Sequence, residues 1–133
     1  MPLKRSCRFL IGSKNNGRAI YLDEENREAI LAYLNKDERH RKKFRFIADI
    51  ILGGFRNTEV YDKESINSRC KDVTAMKFFK GQENDRIYCK EIHSSEGTFI
   101  VVAAILYENK KTTRLKQEQI NLIEKVATFE YEI

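Results

Sequence analysis

Residues 99–107 read FIVVAAILY, an uncharged run with apolar residues at both odd and even positions. Successive side chains of a strand point to opposite faces, so both faces of this strand require cover. The run therefore predicts a central strand of a sheet. The preceding segment, residues 86–92 (RIYCKEI), reads differently: Ile87 and Cys89 fall on one face, while Arg86, Tyr88 and Lys90 fall on the other. One apolar face and one cationic, phenolic face predict a hairpin that is half in water. From residue 75 to 115 the chain thus runs strand, turn, strand, turn, strand. A basic turn at Lys110-Lys111 then opens into a helix.

Outward from this block, residues 7–11 (CRFLI) read as a first strand, closed by a turn cluster over 12–17. Asn16-Gly17 is a hairpin signal, so residues 18–22 read either as a returning strand or as an irregular approach to a helix, with the second reading slightly preferred. Asp23 reads as an N-cap with Glu24 and Glu25 in the first turn, where the helix dipole favours anions. Ile30, Tyr33 and Leu34 supply a helical stripe. After a break at 35–37, a second helix is predicted over about 38–52, with Phe44, Ile47, Ala48 and Ile51 on one face and Gly53-Gly54 ending it. Its outer face is strongly basic: Arg39, His40, Arg41, Lys42, Lys43 and Arg45. Residues 55–72 read as loop, with a helical turn around 63–67. Residues 73–79 form a strand, turns follow at 81–85 and 94–97, and Ile120, Ile123, Val126 and Ala127 mark a closing helix from about 116. The order strand, helix, helix, strand, strand, strand, helix predicts an α+β domain. Its late strands are antiparallel, and its first strand joins the same sheet after the helical crossover.

At 133 residues the chain is read as one domain. Hydrophobic residues at 41% and charged residues at 34% argue against disorder, and a net charge of +5 favours a polyanionic partner. Cys7, Cys70 and Cys89 give no disulfide framework, which points to a reducing compartment. The first residues carry no apolar stretch of signal-peptide length and no membrane span is seen, so a cytoplasmic protein without membrane association is expected. His40 and His93 lie far from any cysteine spacing that makes a zinc site, and no metal or cofactor is expected. Cys89 reads as a small core residue rather than a nucleophile.

MKFFKG at 76–81, DRIYCKE at 85–91 and FIVVAAILYENKKTTRLKQEQI at 99–120 together resemble the C-terminal half of the RelE/ParE toxin superfamily, nearest to its HigB-like branch. The resemblance implies a RelE-like fold: a small, mostly antiparallel sheet, an N-terminal helical hairpin and a C-terminal helix. It also implies the toxin of a type II toxin–antitoxin pair, a metal-independent endoribonuclease that cuts mRNA, commonly on the ribosome. Its partner would be a cognate antitoxin. Carried over residue by residue, Arg86 matches the strand arginine at the scissile phosphate, Lys77 a basic position on the neighbouring strand, and Lys110 and Lys111 the lysine pair after the central strand. The chain departs from the family where relatives have Tyr or His near the last helix. It has Arg114, Leu115 and Lys116 there, and lacks the Thr-Pro that precedes that helix. This departure favours an alternative, a catalytically inactive module of the same fold that binds RNA or an acidic protein through its basic face.

The chemistry is consistent with the first reading. Attack of a ribose 2′-oxygen on its own phosphate needs fixed cations for the phosphorane-like charge and two proton transfers. Arg86, Lys77, Lys110 and Lys111 are the candidate catalytic residues, and Tyr88, Lys90, Arg114, Lys80, Arg41 and Lys42 the candidate RNA contacts. Arg86, Tyr88 and Lys90 read equally as the plain wet face of a hairpin. The strand parity predicts Arg86, Lys77 and Lys110 in one solvent-open patch opposite Ile87 and Cys89. Phe46, Phe129, Tyr131 and Ile133 are candidate apolar anchors for an acidic partner segment.

Overall fold

A computed structural model of the chain describes residues 4–13, 17–64, 66–80, 82–108 and 117–133. The chain opens on a hairpin, β1 (Arg5–Ser13) and β2 (Arg18–Asp23), followed by α1 (Arg27–Leu34) and α2 (Glu38–Gly53). A short β3 (Tyr61–Lys63) and a single 3₁₀ turn (Ser68–Cys70) lead into β4 (Val73–Phe78), β5 (Asp85–His93) and β6 (Phe99–Tyr107). Helix α3 (Gln117–Ala127) and a two-residue β7 (Tyr131–Glu132) follow. The described strands form one sheet in the order β3-β4-β5-β6-β2-β1-β7. The fold is α+β.

Three expectations need correction. Residues 18–22 are a strand, because Ile20 and Leu22 alternate with Ala19 and Tyr21 and each face finds cover. That strand enters the sheet parallel to β6, with Ile20 opposite Val101, and it separates β1 from the late strands. The sheet is therefore mixed rather than mostly antiparallel at this end, since β7 also runs parallel to β1. Asp23 ends β2 instead of capping a helix, and its Oδ1 accepts the Glu25 and Asn26 amides in a tight turn before α1. The helical turn expected around 63–67 falls just beyond it, at Ser68–Cys70 with Asn67 as its N-cap, and Tyr61–Lys63 forms β3, with Tyr61 opposite Met76.

α2 begins and ends as its sequence dictates. Asp37 accepts the His40 amide at 2.9 Å, and Gly54 closes the helix in the left-handed conformation at φ 71°. Arg18 donates Nε to the Ile51 carbonyl at 2.6 Å, tying the helix C-terminus to β2. α1 and α2 lay Ile30, Tyr33, Leu34, Ile47, Ala48 and Ile51 on one face of the sheet, against Leu22, Met76, Phe78, Ile87, Val101 and Ala103. α3 lays Ile123 and Val126 on the other face, against Val73, Tyr88, Ile100, Val102 and Ala104. Each of the wholly buried Ile, Val and Met side chains among these contributes about 1.5–3 kcal/mol. As the apolar run at 99–107 requires, β6 is central and covered on both sides.

Candidate functional site

The site is set by a break in one strand. β6 carries a bulge at Ala104: Cys89 pairs with Ala103 but Tyr88 pairs with Ile105. One extra residue reverses the parity of everything after it. Ala104 and Ile105 consequently both face α3, and Tyr107, which strict alternation would place with Leu106's neighbours over α1 and α2, also turns to the α3 face. The Asn26 side-chain amide donates to the bulge carbonyl of Ala104 at 2.8 Å, giving that carbonyl a partner outside the ladder. Tyr107 stands directly opposite Arg86, and Arg86 stands directly opposite Lys77 on β4. Lys77, Arg86 and Tyr107 form one row across three strands.

Arg86 is the unusual member. Its residue is only 6% exposed, its Nη1 reaches the Asn84 and Asp85 carbonyls at 3.4 and 3.3 Å, and its buried Nε has no hydrogen-bond partner. Burial pushes the guanidinium below its ordinary pKa, and the negative charge of Glu64 is the largest opposing influence. An arginine stays protonated in such surroundings, so a cation with spare donor capacity sits just beneath the surface. Beside it, Tyr107 is raised above its ordinary pKa, first by burial and then by the bond to the Glu118 carboxylate at the start of α3. Arg86 and Tyr107 are partners in the strand ladder, but the phenol whose charge acts on the guanidinium is Tyr88. A carboxylate-held phenol can pass a proton, and a guanidinium can hold developing negative charge. Sequence reasoning missed Tyr107 because the bulge that re-aims it leaves no mark in the apolar run.

The structure corrects the predicted patch. Arg86 does lie opposite Ile87 and Cys89, but that face is packed by α3 and is not open to solvent. Tyr88 is wholly buried and accepts a hydrogen bond from the Gln119 side chain, so it has no face for a base to stack on. Lys90 runs its stem along the same face and donates Nζ to the Ala127 carbonyl at 2.6 Å, capping α3. Lys77 and Arg86 are neighbours whose head groups part: the Lys77 ammonium donates to the Thr58 carbonyl at 3.0 Å and lies 3.9 Å from Asp62. Lys80 is exposed and paired with Glu59 at 2.8 Å. Lys110, Lys111 and Arg114 lie outside the described residues.

A second basic surface lies on α2. Glu38, Arg39, Lys42, Lys43, Phe46 and Phe79 line an open concavity of about 680 Å³, in which Arg39 is paired with Glu83 at 3.2 Å. The Arg39 guanidinium stacks 3.5 Å above the Phe79 ring, and the Lys43 ammonium is 5.7 Å from the Phe46 ring. Phe79 holds a left-handed φ of 57°, a conformation a bulky residue adopts only when its surroundings enforce it; its ring meets His40 edge-on at 4.9 Å. Arg41 is turned away from this concavity, bonded to Glu38 and to the Asn35 carbonyl. Of the proposed apolar anchors, Phe46 and Ile133 are exposed, whereas Phe129 and Tyr131 are buried against the sheet.

Among the described residues no cluster of His, Cys, Asp or Glu is placed to hold a metal ion, and no helix is long and apolar enough to cross a membrane. Fold and site together define an α+β domain with a row of Lys77, a buried Arg86 and Tyr107 on the sheet face that its last helix packs. No family model, curated protein or solved structure matches the chain.

Proposed function

We propose that this chain is a RelE-like toxin of the HigB-like kind, a metal-independent endoribonuclease acting on mRNA in the cytoplasm and held off by an acidic cognate antitoxin. The observation that supports this most is the Lys77–Arg86–Tyr107 row, in which a buried arginine keeps an unpaired Nε and its partner in the ladder, Tyr107, is bonded to Glu118. In this reading Arg86 stabilises the phosphorane-like charge, Tyr107 transfers a proton, and Glu118 orients the phenol. Tyr107 then does the proton transfer that in relatives falls to a Tyr or His near the last helix, which this chain lacks. The basic concavity on α2 supplies the sequence-independent grip on RNA, with Phe46 as a stacking ring and Lys42, Lys43 and Arg39 near phosphates.

The same burial supports a second reading. Arg86 is covered and Lys77 is already engaged, as in a module that binds RNA through α2 alone and performs no chemistry. Expression of the chain by itself separates the two. The toxin reading expects growth arrest and shortened cellular mRNA, with Arg86→Ala lowering cleavage about 10²-fold or more. Normal growth and intact mRNA after verified expression select the binding module.

A further inference from the structure

β1 is paired on its outer side only at Arg5 and Ser6, where β7 meets it. From residue 9 to 13 no described strand covers that edge. This length also carries two exposed large apolar side chains close together: Phe9 is 62% exposed and Ile11 is 40% exposed. A bare strand edge flanked by exposed apolar side chains is a template for another strand, and proteins ordinarily blunt such edges with charge, proline or cover. Neither proline nor charge stands in residues 9–13. The ladder of β1 is irregular between Phe9 and Ile11, so Leu10 and Ile11 both turn to the helix side. There, with Leu31, Leu34, Phe44 and Ala48, they line a groove of about 240 Å³. The rim of the groove carries Asp49, Arg41, which is paired with Glu38, and the exposed Arg45.

We infer that the outer edge of β1 accepts an extended segment of a partner protein by strand addition, with an apolar centre seated in this groove and acidic residues on either side of it. Backbone hydrogen bonds to β1 supply the register, and the pocket at Leu10, Ile11 and Phe44 selects the apolar residue. Charge complementarity with Arg45, and with the outer side of the exposed Arg41–Glu38 pair, selects the acids and speeds association. A second copy of the chain is a poorer occupant, because its own β1, RSCRFLIGS, brings two arginines and no acid to the same cations. The inference rests on this edge alone and stands whether or not Arg86 acts on RNA.

The test uses the full chain and synthetic peptides of about eight residues, a usual strand length. One has a Val/Ile centre flanked by Glu and Asp, the second has the same centre flanked by Lys, and the third is a proline-interrupted scramble of the first. Calorimetric titration should show the acidic peptide binding at least about tenfold tighter than either control, with affinity falling as salt rises. Hydrogen exchange should show new protection of amides within residues 9–13. Ile11→Lys should weaken the acidic peptide about tenfold or more, and the exposed Arg45→Glu should shift preference toward the lysine-flanked peptide. Equal binding of the first two peptides, binding without protection along 9–13, or no binding at all overturns the inference. So does self-association that protects the same amides without peptide, since the occupant is then a second copy.

Discussion

The Gln119 amide in the first turn of α3 donates to the Tyr88 hydroxyl on β5 at 3.1 Å, and both side chains are wholly buried. That bond places a polar tip, otherwise suited to water or to a nucleic-acid base, in the seam between helix and sheet. Tyr88→Phe keeps the ring and removes the bond, so it should lower stability by about 1 kcal/mol in urea unfolding. RNA affinity should be unchanged, measured by fluorescence anisotropy. A loss of RNA binding in a folded Tyr88→Phe chain would restore Tyr88 as an RNA contact.

Arg86 gives the opposite pattern. Its hydrogen bonds to the Asn84 and Asp85 carbonyls are long and its Nε is unpaired, so the folded state gains little from the charge. Arg86→Met, similar in length and apolar, should leave stability unchanged or raise it by about 1 kcal/mol while removing mRNA cleavage. Thermal melts of the purified chain read the first half, and RNA integrity in expressing cells reads the second. A clear loss of stability would assign Arg86 a structural role instead.

Burial raises Tyr88 from an ordinary pKa of 10.0 to about 12, and Tyr33 and Tyr131 are pushed up in the same direction by burial and by their bonds to Asp85 and Asp23. The folded chain favours the neutral phenol. The stabilisation is therefore complete below pH 10 and is lost as pH rises through the folded value, because only the unfolded chain ionises easily in that window. The urea midpoint should fall steadily from pH 10 to 12 and less steeply in Tyr88→Phe. A flat profile over that range would contradict the burial of these phenols.

Asp23 accepts Arg5 Nε at 2.9 Å, Arg5 Nη2 at 3.1 Å and the Tyr131 hydroxyl at 2.6 Å, and it also takes two backbone amides. It is fully buried, and it joins β1, β2 and β7 at one carboxylate. Asp23→Ala should lower stability by about 3–5 kcal/mol, since it strands a partly buried arginine and a buried hydroxyl. Asp23→Asn should lose less, because the amide oxygen still accepts. Chemical denaturation of the three chains in parallel checks the order.

Much of this fold is written in local pattern. FIVVAAILY states its own central position, Asp37 and Gly54 state the ends of α2, and the alternation over 73–78 and 85–93 states two more strands. The site is less legible for three physical reasons. Parity separates Arg86, Tyr88 and Lys90 from Ile87 and Cys89, but alternation alone does not say whether a polar face meets water or a helix whose glutamine and terminal carbonyl answer it. The bulge at Ala104 rests on the pairing of β6 with β5 and on the Asn26 side chain, 78 residues away, so no window of sequence contains it. The strand at 18–23 resembles a helix approach because its parallel partner is far along the chain.

That last pairing also orders events in time. Arg18 and Phe99 lie side by side although 81 residues separate them, and β6 has β2 on one side and β5 on the other. The opening hairpin cannot take its seat until the chain has been made through residue 103, so a growing polypeptide holds the apolar faces of Ile20 and Leu22 unmatched for most of its synthesis. Closing so long a loop is slow, and α1 and α2 complete their packing only once it closes. Translation speed between residues 24 and 103 therefore sets how long that hairpin waits, and with it the fraction of chains that meet another strand before their own.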